Sequence, residues 1–126
     1  MRRPVVLIVV ANPFLAGLMS DVLEANGVFT VRAATSHDAV DLMLRVGPAL
    51  VLVDLELPGR EAGLVFAAIG PAVRVLALAA APSESANASA PGRADGVLQK
   101  PIDTTLFARA VLNELRRLAV AADQTA

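Results

Sequence analysis

Apolar residues along this chain come in two alternating textures: short unbroken β-branched runs, and longer stretches at helical spacing. Val5-Val6-Leu7-Ile8-Val9-Val10 is continuous and apolar, the mark of a strand covered on both faces, as in a parallel sheet. Asn12 then offers a helix N-cap, and Pro13 stands at the first helical position, where its missing N–H costs nothing. Leu15, Leu18, Met19, Val22 and Leu23 follow at helical spacing, and Gly27 closes the helix.

The same texture repeats. Phe29 to Ala33 reads as a short strand, and Ser36 can cap a helix with Val40, Met43 and Leu44 on its inner face, stopped by Gly47-Pro48. Leu50-Val51-Leu52-Val53 is a third strand ending in Asp54, and Leu57-Pro58-Gly59 is a turn. A short helix from about Glu61 to Ile69 carries Leu64, Val65, Ala68 and Ile69, and Gly70-Pro71 ends it. Val73 to Ala79 is a fourth strand. From Ala81 to Pro91 there is no large apolar residue; a helix there would have little to bury, so it is expected to be short, mobile or absent. Val97-Leu98-Gln99 is a brief fifth strand. Asp103 can cap a last helix with Phe107, Val111, Leu115 and Leu118 as its stripe, and the tail after Ala121 is expected to fray. Alternating strands and helices predict one doubly wound α/β domain over residues 1–126, its core about 4–120, with helices on both faces of a parallel sheet.

Composition narrows the function classes. Hydrophobic residues make up 56% of the chain and aromatics only 3%, so the core must be aliphatic. The formal net charge of −1 gives no footprint for nucleic acid and no polybasic membrane patch; Arg2 and Arg3 are isolated and read as a solvated terminus. Asn12-Pro13 ends the first apolar run well before a signal-peptide core would be complete, and no run reaches the ~18 residues of a membrane span. With no cysteine, disulfides and thiolate metal sites are excluded, and a cytoplasmic location is expected. One histidine and no cysteine leave no nucleophile–base set. His37 lacks companions and reads as a solvated residue at a helix start. The first strand is not followed by Gly-x-Gly-x-x-Gly, which argues against a dinucleotide site. An enzyme is not expected.

In an open α/β sheet, ligands gather beyond the carboxyl ends of the strands. The first strand delivers Val10, Ala11 and Asn12 there; the third delivers Asp54, Leu55 and Glu56; the fourth delivers Ala79 to Ala81; the fifth delivers Lys100, the only lysine in the chain. A carboxylate inside a buried strand is costly, so Asp54 is expected at the strand's end, facing a polar cleft. An ammonium beside it would stabilise its charge and could hold a phosphoryl oxygen; a plain ion pair at the sheet edge is an equally fitting reading from spacing alone.

Three segments carry a resemblance. Leu50-Val51-Leu52-Val53-Asp54-Leu55-Glu56-Leu57-Pro58-Gly59 resembles the phospho-acceptor strand and turn of response-regulator receiver domains, Ala94-Asp95-Gly96-Val97-Leu98-Gln99-Lys100-Pro101 resembles their last strand with its lysine–proline pair, and Val5 to Leu15 resembles their first strand and helix start. The resemblance spans about Val5 to Leu118. It implies a flavodoxin-like (βα)5 fold with strand order 2-1-3-4-5, Asp54 as phospho-acceptor, Lys100 as phosphate contact, and a cis Lys100-Pro101 bond. It also implies a Mg²⁺ ion held by the acceptor, an acidic pair after the first strand and a backbone carbonyl two residues past the acceptor.

The departures are as specific as the likeness. The acidic pair falls on Val10 and Ala11, which cannot bind a metal, and shifting the register to Asn12 still supplies no carboxylate. The Thr/Ser position falls on Ala79, and the aromatic three residues before the lysine is Val97. The interval from Asp54 to Ala79 is a few residues short. Asp54 and Glu56 are the remaining metal candidates, so a Mg²⁺ site is expected to be weak or absent; Glu56 is expected to face solvent or pair with an arginine.

The expectation is therefore an atypical stand-alone receiver-like protein of two-component phosphorelay signalling, with no output domain and an impaired Mg²⁺/phosphate site. The alternative is a phosphorylation-independent pseudo-receiver that acts as a binding or dimerisation module. The partner would be a histidine kinase or another signalling protein, with a homodimer left open, and neither nucleic acid nor membrane is expected.

Overall fold

The computed structural model describes residues 4–80 and 94–125, with side chains up to 120. The Ser/Ala-rich stretch 81–91, where a short or mobile helix was expected, lies outside the described residues. Among the described residues nine elements follow in order: β1 (Val5–Val9), α1 (Pro13–Ala25), β2 (Phe29–Ala33), α2 (Ser36–Val46), β3 (Leu50–Asp54), α3 (Glu61–Ala68), β4 (Arg74–Ala79), β5 (Gly96–Gln99) and α4 (Thr104–Thr125). The five strands form one parallel sheet in the order β2-β1-β3-β4-β5. This is the doubly wound arrangement that the alternating pattern predicts, in the flavodoxin-like strand order that the resemblance implies.

The unbroken apolar runs are needed because successive side chains in a strand point to opposite faces. Val6, Ile8 and Val10 join Leu50, Leu52, Leu76 and Leu78 on one face, covered by Ala16, Met19 and Leu23 of α1 and Phe107 and Val111 of α4. Leu7, Val9, Val51, Val53, Val75 and Ala77 line the other, under Ala39 of α2 and Val65 and Phe66 of α3. Each fully buried Leu, Val or Ile side chain contributes about 1.5–3 kcal/mol relative to leaving it exposed.

The helix ends follow local chemistry. The Asn12 side chain accepts from the Phe14 and Leu15 N–H groups, and Pro13 opens α1. At its far end the Gly27 N–H donates to Glu24 O and the Val28 N–H to Leu23 O, the paired closure that needs a left-handed residue; Gly27 supplies it at φ 80°. Gly47 closes α2 with a single bond, its N–H donating to Met43 O, also in the left-handed region at φ 62°. Asp103 accepts from the Leu106 N–H at the start of α4.

Several details depart from the sequence expectations. Thr35, not Ser36, caps α2: it has the extended backbone of an N-cap and accepts from the Asp38 N–H. Ser36 is the first helical residue, is buried, and donates its backbone N–H to the Glu61 carboxylate at the start of α3. Leu18, Leu44 and Leu64 face solvent instead of the core. In α2 the buried apolar position is Ala39, with Leu42 and Met43 packed beside it; a small residue at the contact lets the helix lie close to the sheet. Ala68 is exposed while Phe66 takes the buried place in α3. The last helix continues to Thr125, past the expected end at Ala121.

Candidate functional site

The sheet's register decides which side chains can meet. Asp54 is the last residue of β3 and pairs with Leu78, Leu78 pairs with Leu98, and Ala79 pairs with Gln99. Lys100 therefore leaves β5 one step beyond Gln99, its N–H donating to Ala79 O at 2.9 Å. Adjacent parallel strands end at the same edge, and this brings residues 46 positions apart together. The Lys100-Pro101 bond is cis, as the lysine–proline pair suggests.

At that edge Asp54 is almost wholly buried, at 4% exposure for the whole residue. Lys100 Nζ stands 2.9 Å from both of its oxygens, and the Glu56 backbone N–H donates to Oδ1, also at 2.9 Å. Both carboxylate oxygens are thus engaged by donors, which is what keeps a buried charge tolerable. Lys100 donates as well to Glu56 Oε2 at 2.6 Å. Glu56 is exposed, but it pairs with this lysine and not with an arginine or with solvent alone. One ammonium therefore bridges two carboxylates. Burial pulls the Lys100 pKa down, but hydrogen bonds and charge attraction from Glu56 and Asp54 outweigh it and leave the group above its ordinary value of 10.5.

The other positions at this edge bring no ligand. Val10 is buried and Ala11 is exposed without a polar side-chain atom; Ala79 is buried at 1% exposure and offers only a methyl group, while Val97 is 38% exposed. The Asn12 side-chain oxygen caps α1. His37 stands exposed in the first turn of α2. Among the described residues, no group of three or more carboxylates and imidazoles is placed to hold a metal ion. No described helix is long and apolar enough to cross a membrane.

A second polar cluster escaped the sequence reading. Arg74, at the start of β4, donates Nε–H to Glu114 Oε2 of α4 at 2.8 Å and lies 3.5 Å from Asp95 Oδ1. Asp95 also accepts from the Val75 N–H at 2.8 Å. The hydrogen bond to Glu114 holds the guanidinium's pKa above its ordinary value. This network ties β4, the approach to β5 and α4 together at the opposite end of the strands, so it is a fastening of the fold. Its partners lie 40 positions apart, and only the tertiary structure pairs them.

No protein-family model matches the chain, and no curated protein matches it. Solved structures do. A signal receiver domain from Vibrio parahaemolyticus is 26% identical, with a TM-score of 0.83 over 96% of each chain. A response regulator receiver domain protein from Methanospirillum hungatei is 19% identical, with a TM-score of 0.85 over 95% of this chain and 99% of that one. A signal receiver domain of an HD domain-containing protein from Pseudomonas fluorescens is 21% identical, with a TM-score of 0.84 over 94% and 99%. The doubly wound sheet with its charged carboxyl edge places the molecule among α/β proteins whose ligand edge lies at the strand ends. Within that class it is a response-regulator receiver domain in fold.

Proposed function

We propose that this chain is a receiver unit of two-component phosphorelay signalling, with Asp54 as phospho-acceptor and Lys100 as phosphate contact. The observation that carries the reading is the meeting of these two side chains at the carboxyl edge of a receiver-type sheet. In the proposed step an Asp54 oxygen attacks the phosphorus of a phosphohistidine or acyl phosphate. The bond from phosphorus to the donor breaks, and its electron pair leaves with the donor. Lys100 then transfers its hydrogen bonds from the carboxylate to the phosphoryl oxygens.

The residues present do not fit a resident Mg²⁺. That ion wants several hard oxygen ligands in octahedral array, whereas Val10 and Ala11 supply none, and Lys100 already engages both oxygens of Asp54 and one of Glu56. In this reading Lys100 provides the positive charge by itself, and transfer is slow. The role is signalling and not turnover of a metabolite, and the partner is a histidine kinase or another signalling protein. Phe14 (88% exposed) and Leu106 (57%) lie in the first turns of the helices that follow β1 and β5. Bare apolar side chains at the site's own end of the molecule suit a protein partner.

A second reading has its own support. With both Asp54 oxygens already hydrogen-bonded and no hydroxyl at Ala79, the edge also suits a phosphorylation-independent pseudo-receiver held in one conformation. Intact-mass measurement after incubation with acetyl phosphate, with and without Mg²⁺, separates the two. A single phosphoryl adduct that is absent from Asp54→Ala supports the receiver. No adduct, under conditions that label an ordinary receiver, supports the pseudo-receiver.

A further inference from the structure

We infer that Glu56 is a positioning residue whose carboxylate takes the place of an external oxyanion on Lys100, so that any phosphate reaching this site must first displace it. The inference builds on the reading of Lys100 as the phosphate contact, and three observations lead to it. The Glu56 Oε2–Lys100 Nζ contact, at 2.6 Å, is shorter than either Lys100–Asp54 contact at 2.9 Å. An ammonium has three N–H donors, and the two carboxylates present it with three acceptor oxygens within hydrogen-bond distance. With Glu56 in place, its carboxylate holds an N–H of Lys100 on the ammonium that already faces Asp54, and a further oxyanion there competes for it.

The two partners differ in how readily they can leave. The Asp54 side chain is only 6% exposed, whereas that of Glu56 is 53% exposed and sits in the turn after β3. Glu56 is the partner that can swing into water at small cost, since ion pairs with an exposed member are worth little. Asp54 cannot. Glu56 therefore acts as an internal competitor: bound, it completes the lysine's hydrogen bonds; displaced, it opens one face of the ammonium next to Asp54. Its charge also repels an approaching phosphate, which adds to the competition.

The chain's single lysine makes this directly measurable. With ¹⁵N,¹³C-lysine labelling, one side-chain signal reports the site. Parent, Glu56→Gln and Glu56→Ala are titrated with inorganic phosphate at constant ionic strength, with Glu61→Gln as a control for loss of a negative charge nearby in sequence. Glu61 serves the start of α2 and not Lys100. The expected result is that both Glu56 variants bind phosphate at Lys100 at least about fivefold more tightly than the parent, while Glu61→Gln matches the parent. Superimposable titrations for parent and both Glu56 variants would overturn the inference, as would an equal gain in Glu61→Gln. Phosphate binding is read here without any covalent step. A gain in the Glu56 variants with no acetyl-phosphate adduct would therefore reject Asp54 as acceptor and leave Glu56 as competitor, and an adduct without the gain would do the reverse.

Discussion

Lys100 places its ammonium 2.9 Å from both carboxylate oxygens of Asp54, a residue 46 positions earlier in the chain. The contact is a product of topology: β4 lies between β3 and β5, and all three end at one edge. The same contact is what makes a buried carboxylate tolerable there. Stability and candidate function thus depend on the same pair.

Removing Lys100 should leave Asp54 as an uncompensated buried charge. Lys100→Met is expected to destabilise the fold by about 2–4 kcal/mol, toward the lower part of the range for breaking a buried ion pair because the lysine is partly exposed. Asp54→Asn should cost less, since Lys100 keeps Glu56. The double variant should recover part of the Lys100→Met loss, because the orphaned carboxylate is gone. Urea unfolding of the four proteins measures the coupling; simple additivity would mean that the pair does not act as a unit.

The raised Lys100 pKa sets an alkaline limit. A group held above its unfolded value contributes stability that is fully present below that value and is lost as pH rises through the folded one. The chain contains no Tyr and no Cys, so Lys100 is the only side chain expected to titrate near pH 10.5. Parent stability should fall as pH rises above about 10.5, and Lys100→Met should not show that step. Urea midpoints from pH 8 to 11.5 test it; parallel curves would contradict it.

Two phenylalanines give a contrast between core and rim. Phe107 is 2% exposed and packs with Val111 against the sheet; Phe107→Ala should cost about 3–5 kcal/mol. Phe14 is 88% exposed, and Phe14→Ala should change stability by no more than about 0.5 kcal/mol. Thermal and urea unfolding report both. If Phe14 belongs to a partner surface, its variant should weaken partner binding while the fold is unchanged.

The corrected cap is testable as well. Thr35→Ala should lose about 1 kcal/mol, the usual cost of deleting a side-chain cap, and amide exchange should quicken first at Asp38, whose N–H the hydroxyl accepts. An unchanged exchange rate there would show that the cap contributes nothing.

The parts legible in the sequence were those set by local pattern. Four apolar residues followed by Asp54 mark a buried strand ending at a polar edge, and Asn12-Pro13 and Gly47 mark helix ends by their own backbone chemistry. Leu44 reads as inward, and Leu18 and Leu64 fall at helical spacing with core residues, because hydrophobicity alone does not tell which side of a broad apolar arc meets the sheet; Ala39 lies at the contact because it is small. Of the neighbouring hydroxyls of Thr35 and Ser36, only backbone conformation tells which one caps. The sequence offers Glu56 as a weak metal candidate or a residue facing solvent or an arginine; its actual partner, Lys100, is 44 positions away. The Arg74–Glu114 pair was hidden for the same reason.

In the proposed function Asp54 accepts a phosphoryl group beside Lys100. Borohydride reduction after acetyl-phosphate treatment, followed by peptide mapping, tests it most directly, because an acyl phosphate on aspartate is reduced to homoserine. Homoserine is expected at position 54, strongly diminished in Lys100→Met. Homoserine at another aspartate, or at none when a working receiver is labelled in parallel, would contradict it.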